Sequence, residues 1–290
     1  LSLTIFFIKI KKENYFFKAN SKETFILINN WFMAFYLATV FIGSIYPIFT
    51  EIISETKISV GPPFYNIVII PLVVPFLIFM AIAPNVKWIK NSFKKSVNFI
   101  LITMLAIFIN FTIAHYFKSY SIMSNLIIIS SLFLILYSLI DFIKSYKQKF
   151  SFDISRIISH LGFGFLVFFI GINHNFSTEK DFNLKEGEKK IFEDYIVDFK
   201  LLKLEQRQNY KAVVGAFNIT NLEKKSEETL FPEIRIYTNP ETLTYEASIK
   251  TKLSHDLYLT MSNINRSEFY NIKFQKKPFM IWIWISVIFI

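Results

Sequence analysis

The sequence predicts an α-helical polytopic membrane protein with a small all-β soluble domain between the last two transmembrane helices. Three observations predict it. Five apolar stretches, at 25–49, 65–84, 97–117, 122–143 and 154–172, are each about as long as a helix needs to cross a hydrocarbon core. A polar region of about 100 residues, 173–277, carries short runs of alternating apolar and polar residues. A further apolar run then begins at 278 and continues to 290.

The composition agrees. Of 290 residues 53% are hydrophobic, 35 are Phe and only 7 are Gly, and the mean hydropathy is +0.40. A soluble domain with an ordinary polar surface is excluded by that balance. The preference for Phe, Ile, Asn and Lys is what the codon bias of an AT-rich genome, such as a mitochondrial one, produces. No Cys is present, which excludes disulfides, thiolate metal sites and thiol nucleophiles within the chain.

Residues 1–24 read as an apolar remnant followed by a basic segment. The apolar runs at both ends suggest either that both ends are truncated or that the gene is split and the remainder lies on another chain. The net charge of +10 does not point to nucleic acid, because residues 173–277 hold 17 Lys/Arg against 16 Asp/Glu. The excess flanks the membrane stretches. Segments 9–22, 87–96 and 144–156 together carry 13 basic residues, whereas the alternate loops 51–64 and 118–121 carry only Lys57 and Lys118. This is the positive-inside pattern. It puts the three basic segments in the matrix or cytoplasm and residues 173–277 on the opposite side.

Along the membrane unit 25–172, Glu23 and Ser21 read as the cap of the first helix. Asn29 and Asn30, one turn further in, are expected to bond between helices. The run Ser59-Val60-Gly61-Pro62-Pro63-Phe64 is turn chemistry on the outer side. Pro71 and Pro75 are expected to kink the second helix and free backbone carbonyls. In the region 173–277, residues 195–204, 210–220, 230–238, 248–261 and 269–274 read as extended, with turns at Gly187, 221–228 and Asn239-Pro240. A small antiparallel sandwich or barrel follows.

The chain has four histidines. His160 lies within the fifth helix, in Ser159-His160-Leu161-Gly162-Phe163-Gly164, where a flat ligand or another helix could approach beside the glycines. An imidazole at that depth needs a partner. It is either a cofactor ligand or a histidine bonded to a neighbouring helix. Arg156, one turn earlier, would meet an anionic group such as a propionate or mark the inner boundary. His115 fits an interfacial aromatic belt with Tyr116 and Phe117. His174 reads as a loop residue at the outer boundary. His255 with Asp256 reads as a surface pair, and Glu233 with Arg235 as a structural ion pair.

Several fragments, in order, resemble the C-terminal half of the CcmF/NrfE family of cytochrome c haem lyases. They are Ser21-Lys22-Glu23 with Asn29-Asn30 (SRE…NN), Gly43-Ser44-Ile45-Tyr46-Pro47 (GTxxP) and residues 58–66 (IS(V/I)GxPFFN). They continue with Ser159-His160-Leu161-Gly162 (AHLG), Asn209-Tyr210, residues 232–237 (PExRxY), Asp256-Leu257-Tyr258 (DLY) and Lys277-Pro278 before Trp282 and Trp284. Lys22 and Ser44 depart from the family's Arg and Thr. The resemblance implies a haem b held by two membrane histidines, with His160 as one axial ligand of the iron. The second would come from a partner, an N-terminal-half CcmF-like chain that also carries the tryptophan-rich haem-handling segment. No catalytic residue is assigned to this chain. The implied partners are apocytochrome c, haem-delivery and maturation proteins and the lipid bilayer, and the implied site is the mitochondrial inner membrane with 173–277 facing the intermembrane space. The competing reading is a non-catalytic structural subunit of a larger inner-membrane respiratory complex.

Overall fold

A computed structural model of the chain describes residues 21–54, 58–88, 97–117, 121–148, 154–223, 225–263 and 268–290. Lys9, Lys11, Lys12, Lys18, Lys57, Lys90, Lys94, Lys95, Lys118 and Lys149 of the charge argument lie outside the described residues. Among the described residues, five helices are long and apolar enough to cross a membrane. They are α1 (Lys22–Ser54), α2 (Pro62–Ile82, followed by a 3₁₀ turn at Ala83–Asn85), α3 (Val97–Phe117), α4 (Ile122–Gln148) and α5 (Ile154–Phe176). The helical backbone of α1, α4 and α5 runs on past the apolar stretches, because a helix can continue into polar residues that only water or headgroups surround. The multi-pass membrane architecture with a β domain after the fifth helix is therefore as the sequence predicts.

The chain packs as two units, Leu1–Phe111 with Ile129–Leu161, and Thr112–Ile128 with Gly162–Ile290. In the first, α1 and α2 meet through aromatic rings. Phe32 is buried and packs edge-on to Phe76, with ring centroids 5.4 Å apart. Phe25 meets Phe79 in the same way at 5.6 Å. Such pairs contribute about 0.5–1.5 kcal/mol beyond area burial. Toward their other ends the helices touch at Gly43, where an added Cβ would lie 2.5 Å from the Tyr65 hydroxyl. The α2 helix is one element through Pro71 and Pro75.

The second unit holds a β sandwich. One sheet has the order β1-β10-β9-β8 and the other β2-β3-β4-β6-β7, with β5 also on β4. The strands are β1 (Thr178–Leu184), β2 (Lys189–Phe192), β3 (Tyr195–Gln206), β4 (Tyr210–Asn221), β5 (Ser226–Leu230), β6 (Glu233–Thr238), β7 (Glu241–Glu246), β8 (Ser248–Thr251), β9 (His255–Asn263) and β10 (Tyr270–Pro278). Every pairing is antiparallel. Alternation selects the core. Leu257, Leu259 and Met261 of β9 point inward with Ile272 and Phe274 of β10, and they face Val197 and Phe199 of β3 with Phe217 and Ile219 of β4. Phe199 and Phe217 are register partners and stack at 4.3 Å.

Two extended runs are interrupted. Residues 230–238 divide because Pro232 cannot donate to a ladder; its carbonyl instead accepts from Gly215 N–H at 3.0 Å. Residues 248–261 divide at the turn 252–254, closed by Lys252 N–H donating to the His255 carbonyl at 3.1 Å. The segment 221–228, expected as a turn, already enters β5 at Ser226. After β10 the chain starts α6 (Met280–Ile288) directly from Phe279, which has the left-handed φ of 56°.

Candidate functional site

His160 sits in α5, six residues after Ile154 and so about 9 Å along the helix. It is half-buried. A neutral imidazole there offers one lone pair, and that donor chemistry fits one axial position of a haem. Among the described residues no cluster of three or more His, Cys, Asp or Glu could hold a metal ion, so the fit is to one ligand and not to a complete site. Gly162 is not an open cradle. A Cβ there would meet Phe289 Cβ at 2.8 Å and the Phe289 carbonyl carbon at 2.9 Å. Of the two occupants foreseen beside this glycine, the structure places a helix end.

Arg156, one turn before His160, is paired. Its guanidinium donates to Asp141 Oδ2 of α4 at 2.8 Å, with the Asp141 side chain 15% exposed. Asp141 escaped the sequence reading, although a lone carboxylate in the run 122–143 is a signal that a partner lies nearby. Buried Ser130, Ser131 and Ser138 line the same helix.

At the start of α1, the Ser21 carbonyl accepts from Phe25 N–H and its hydroxyl lies 3.4 Å from Thr24 Oγ1. Lys22 N–H donates to the Lys87 carbonyl at 3.1 Å, and its ammonium lies 5.2 Å from the Trp88 ring centroid. Residues 22 and 87–88 of two basic segments thus share one end of the α1–α2 pair. Asn29 and Asn30 differ from expectation. Both are exposed on α1, which buries only Phe32, Thr39 and Gly43. At the opposite end of the pair, Ile42, Gly43, Tyr46, Val60, Gly61 and Phe64 line a largely apolar cavity of about 580 Å³.

In the second unit His115 and His174 are exposed. His255 does not pair with Asp256, since neighbours in a strand point to opposite faces. Its Nε2 lies 2.9 Å from the Tyr195 hydroxyl and its Nδ1 2.9 Å from the Ser254 hydroxyl. Asp256 is 4% exposed and accepts from Thr251 Oγ1 at 3.3 Å, while its Oδ1 is unbonded. Burial pushes this carboxyl above its ordinary value. Arg235 is the hub of β6. It donates to Glu233 at 2.8 Å, lies 3.8 Å from Glu246 and covers the Tyr210 ring at 4.9 Å. The hydrogen bond to Glu233, then that to Tyr237, raises its pKa, so it stays charged.

Residues 175–278 match the family profile described as CcmF C-terminal beta-sandwich. It is the C-terminal part of CcmF that this chain resembles. The cytochrome c-type biogenesis protein CcmF of Haemophilus influenzae is 26% identical over 283 residues, covering 93% of this chain and 43% of that protein. CcmF of Escherichia coli is 24% identical, covering 91% and 41%. The cytochrome c-type biogenesis protein NrfE of Haemophilus influenzae is 22% identical, covering 92% and 42%. The chain thus spans less than half the length of these relatives. A solved structure described as cytochrome c heme lyase CcmF superposes with a TM-score of 0.74 at 16% identity, over 94% of this chain and 45% of that one; this likeness carries the fold. The CcmF-like fragments fall on structural joints. Gly43 and Tyr65 close α1 on α2, Arg235 ties β6 to β4 and β7, and Asp256 lies buried at the start of β9.

Proposed function

We propose that this chain is the C-terminal component of a cytochrome c maturation haem lyase, with His160 as one axial ligand of a membrane haem b. The observation that carries this reading is the ordered set of CcmF-like motifs, together with similarity to cytochrome c biogenesis proteins along nearly the whole chain. Held between two imidazoles, haem supplies an iron that takes up and releases one electron. His160 would contribute its neutral nitrogen, with the other ring nitrogen bonded so as to fix the tautomer. Arg156, held by Asp141, would put a cation one turn away, at the inner end of α5. The second imidazole and the tryptophan-rich segment belong to a companion chain, and thioether formation on apocytochrome c belongs to the assembly rather than to a residue here.

The exposed carboxamides of Asn29 and Asn30 favour α1 as the companion's seat, because amides in a membrane helix are costly until another helix covers them. The Phe-rich, Gly-poor composition favours a mitochondrial inner membrane, although the relatives named above are bacterial. The β sandwich would then face the intermembrane space.

The test is the visible spectrum of the purified assembly, with its chains identified by mass spectrometry, for the parent and for His160→Ala. The expected result is a b-type signal that the substitution removes while a CcmF-like companion still co-purifies. An unchanged spectrum, or respiratory-complex companions in place of maturation proteins, would overturn the reading in favour of a structural subunit.

A further inference from the structure

We propose that the β8–β9 turn, residues 252–254, is a lipid contact: it sets the Leu253 side chain into the phospholipid interface beside the first turn of α6. The inference rests on reading α5 as a membrane span and goes beyond it, since a soluble-looking sandwich would lean on the bilayer through a built foot.

The position of the turn follows from its bonds. Trp282 stacks on Phe169 of α5 with centroids 5.8 Å apart, and Phe279 packs on the same ring at 5.9 Å. The Asn173 side-chain amide donates to the Pro278 carbonyl at 2.7 Å. Residues 278–282 therefore lie alongside residues 169–173. The α5 helix has 23 residues, or about 35 Å at the usual rise, against a hydrocarbon core of about 30 Å. Centred on that core, residues 169–173 fall in its last two turns. The turn is bonded to this level at two points. Phe279 N–H donates to the Ser254 carbonyl at 3.0 Å, and the Trp282 indole N–H donates to the Leu253 carbonyl at 2.9 Å. An indole with its ring on an apolar helix and its N–H satisfied is the usual arrangement for a tryptophan at a membrane boundary.

The turn is also rigid. Ser254 is held by His255, which is held by buried Tyr195. The Lys252 ammonium reaches Glu228 at 3.1 Å, and Lys250 reaches the same carboxylate at 3.1 Å. What the turn leaves over is the Leu253 side chain, 69% exposed. A single exposed leucine is ordinary on a soluble surface. One fixed by two backbone hydrogen bonds and an indole N–H bond at the level of a hydrocarbon boundary is placed where lipid can cover it, and burying it there would contribute on the apolar-transfer scale.

The absence of cysteine makes the test direct. Single nitroxide labels would be placed on the full chain by Leu253→Cys, Leu204→Cys and Ile170→Cys, reconstituted in phosphatidylcholine vesicles and probed for collision with oxygen and with a water-soluble nickel chelate. Leu204 is the matched control: it is 85% exposed and nine residues along β3 from Tyr195, about 30 Å away. Position 253 should collide preferentially with oxygen and position 204 with nickel. Equal nickel access at 253 and 204, with 170 still in lipid, would overturn this proposal alone. Nickel access at 170 would overturn the membrane placement of α5 and this proposal with it.

Discussion

Asp141 and Arg156 form a charge pair between two membrane helices, with side chains 15% and 32% exposed. Removing the Asp141 carboxylate forfeits a hydrogen bond between charged groups, worth about 1.5–3 kcal/mol when buried and less here because the Arg156 side chain is 32% exposed. Asp141→Ala is therefore expected to lower the thermal midpoint of the detergent-solubilised chain, and Asp141→Asn, which keeps an acceptor oxygen, to lower it less. Equal losses would mean that charge and not geometry sets the effect. Asp256 presents the opposite case. Burial raises its pKa above 3.8, so the folded state prefers the protonated acid. The stabilisation that this preference gives is complete below the unfolded pKa and is lost as pH rises through the higher folded one. Asp256→Asn should then raise the midpoint at pH 7, and the gain should shrink as pH falls toward 3.8. A gain that does not change with pH would rule out ionisation as its source. The two carboxylates differ in legibility. Asp141 went unread although it stands as a charge in an apolar run, and its partner has no signal at all, since nothing in the sequence states which helices are neighbours. Asp256 looked like half of a surface pair with His255, and strand alternation separates the two.

At the scale of elements, the long helices and the strands β3 and β4 were legible because their period is sustained over many residues. The strands β1, β2 and β7 were not, since Thr178–Leu184, Lys189–Phe192 and Glu241–Glu246 are polar and bury few of their side chains. They exist because neighbours offer them a ladder. Gly187 was legible as a turn and has a positive φ of 85°, but glycines inside elements were legible only as open space. Gly162 turned out to be the seat of Phe289, and Gly215 that of two core side chains. A Cβ at Gly215 would lie 2.6 Å from Phe217 and 2.9 Å from Met261 Sδ. Gly215→Ala should cost about 1–3 kcal/mol by overpacking, read as a lower denaturation midpoint with the helical circular dichroism unchanged. A neutral result would mean that Phe217 can re-stack on Phe199 without loss.

At the scale of the molecule, hydropathy alone sufficed for the class, and the CcmF-like fragments for the resemblance. The placement of His160 was legible in the same way. What surrounds it was not, because contacts between helices depend on pairings that hydropathy does not encode. The chain spans under half the length of these relatives, and the amides of Asn29 and Asn30 lie exposed on α1.

The sheet order carries a consequence for synthesis. The strand β1 has β10 as its ladder partner, and Thr178 lies opposite Lys276. The first strand to emerge is thus completed by the last. At elongation rates of about 5–20 residues per second, β1 waits roughly 5–20 seconds with an open edge while the rest of the domain is made. Until then the nascent chain presents a pairing surface to whatever accompanies it, and any chain released before Tyr270 keeps that edge permanently.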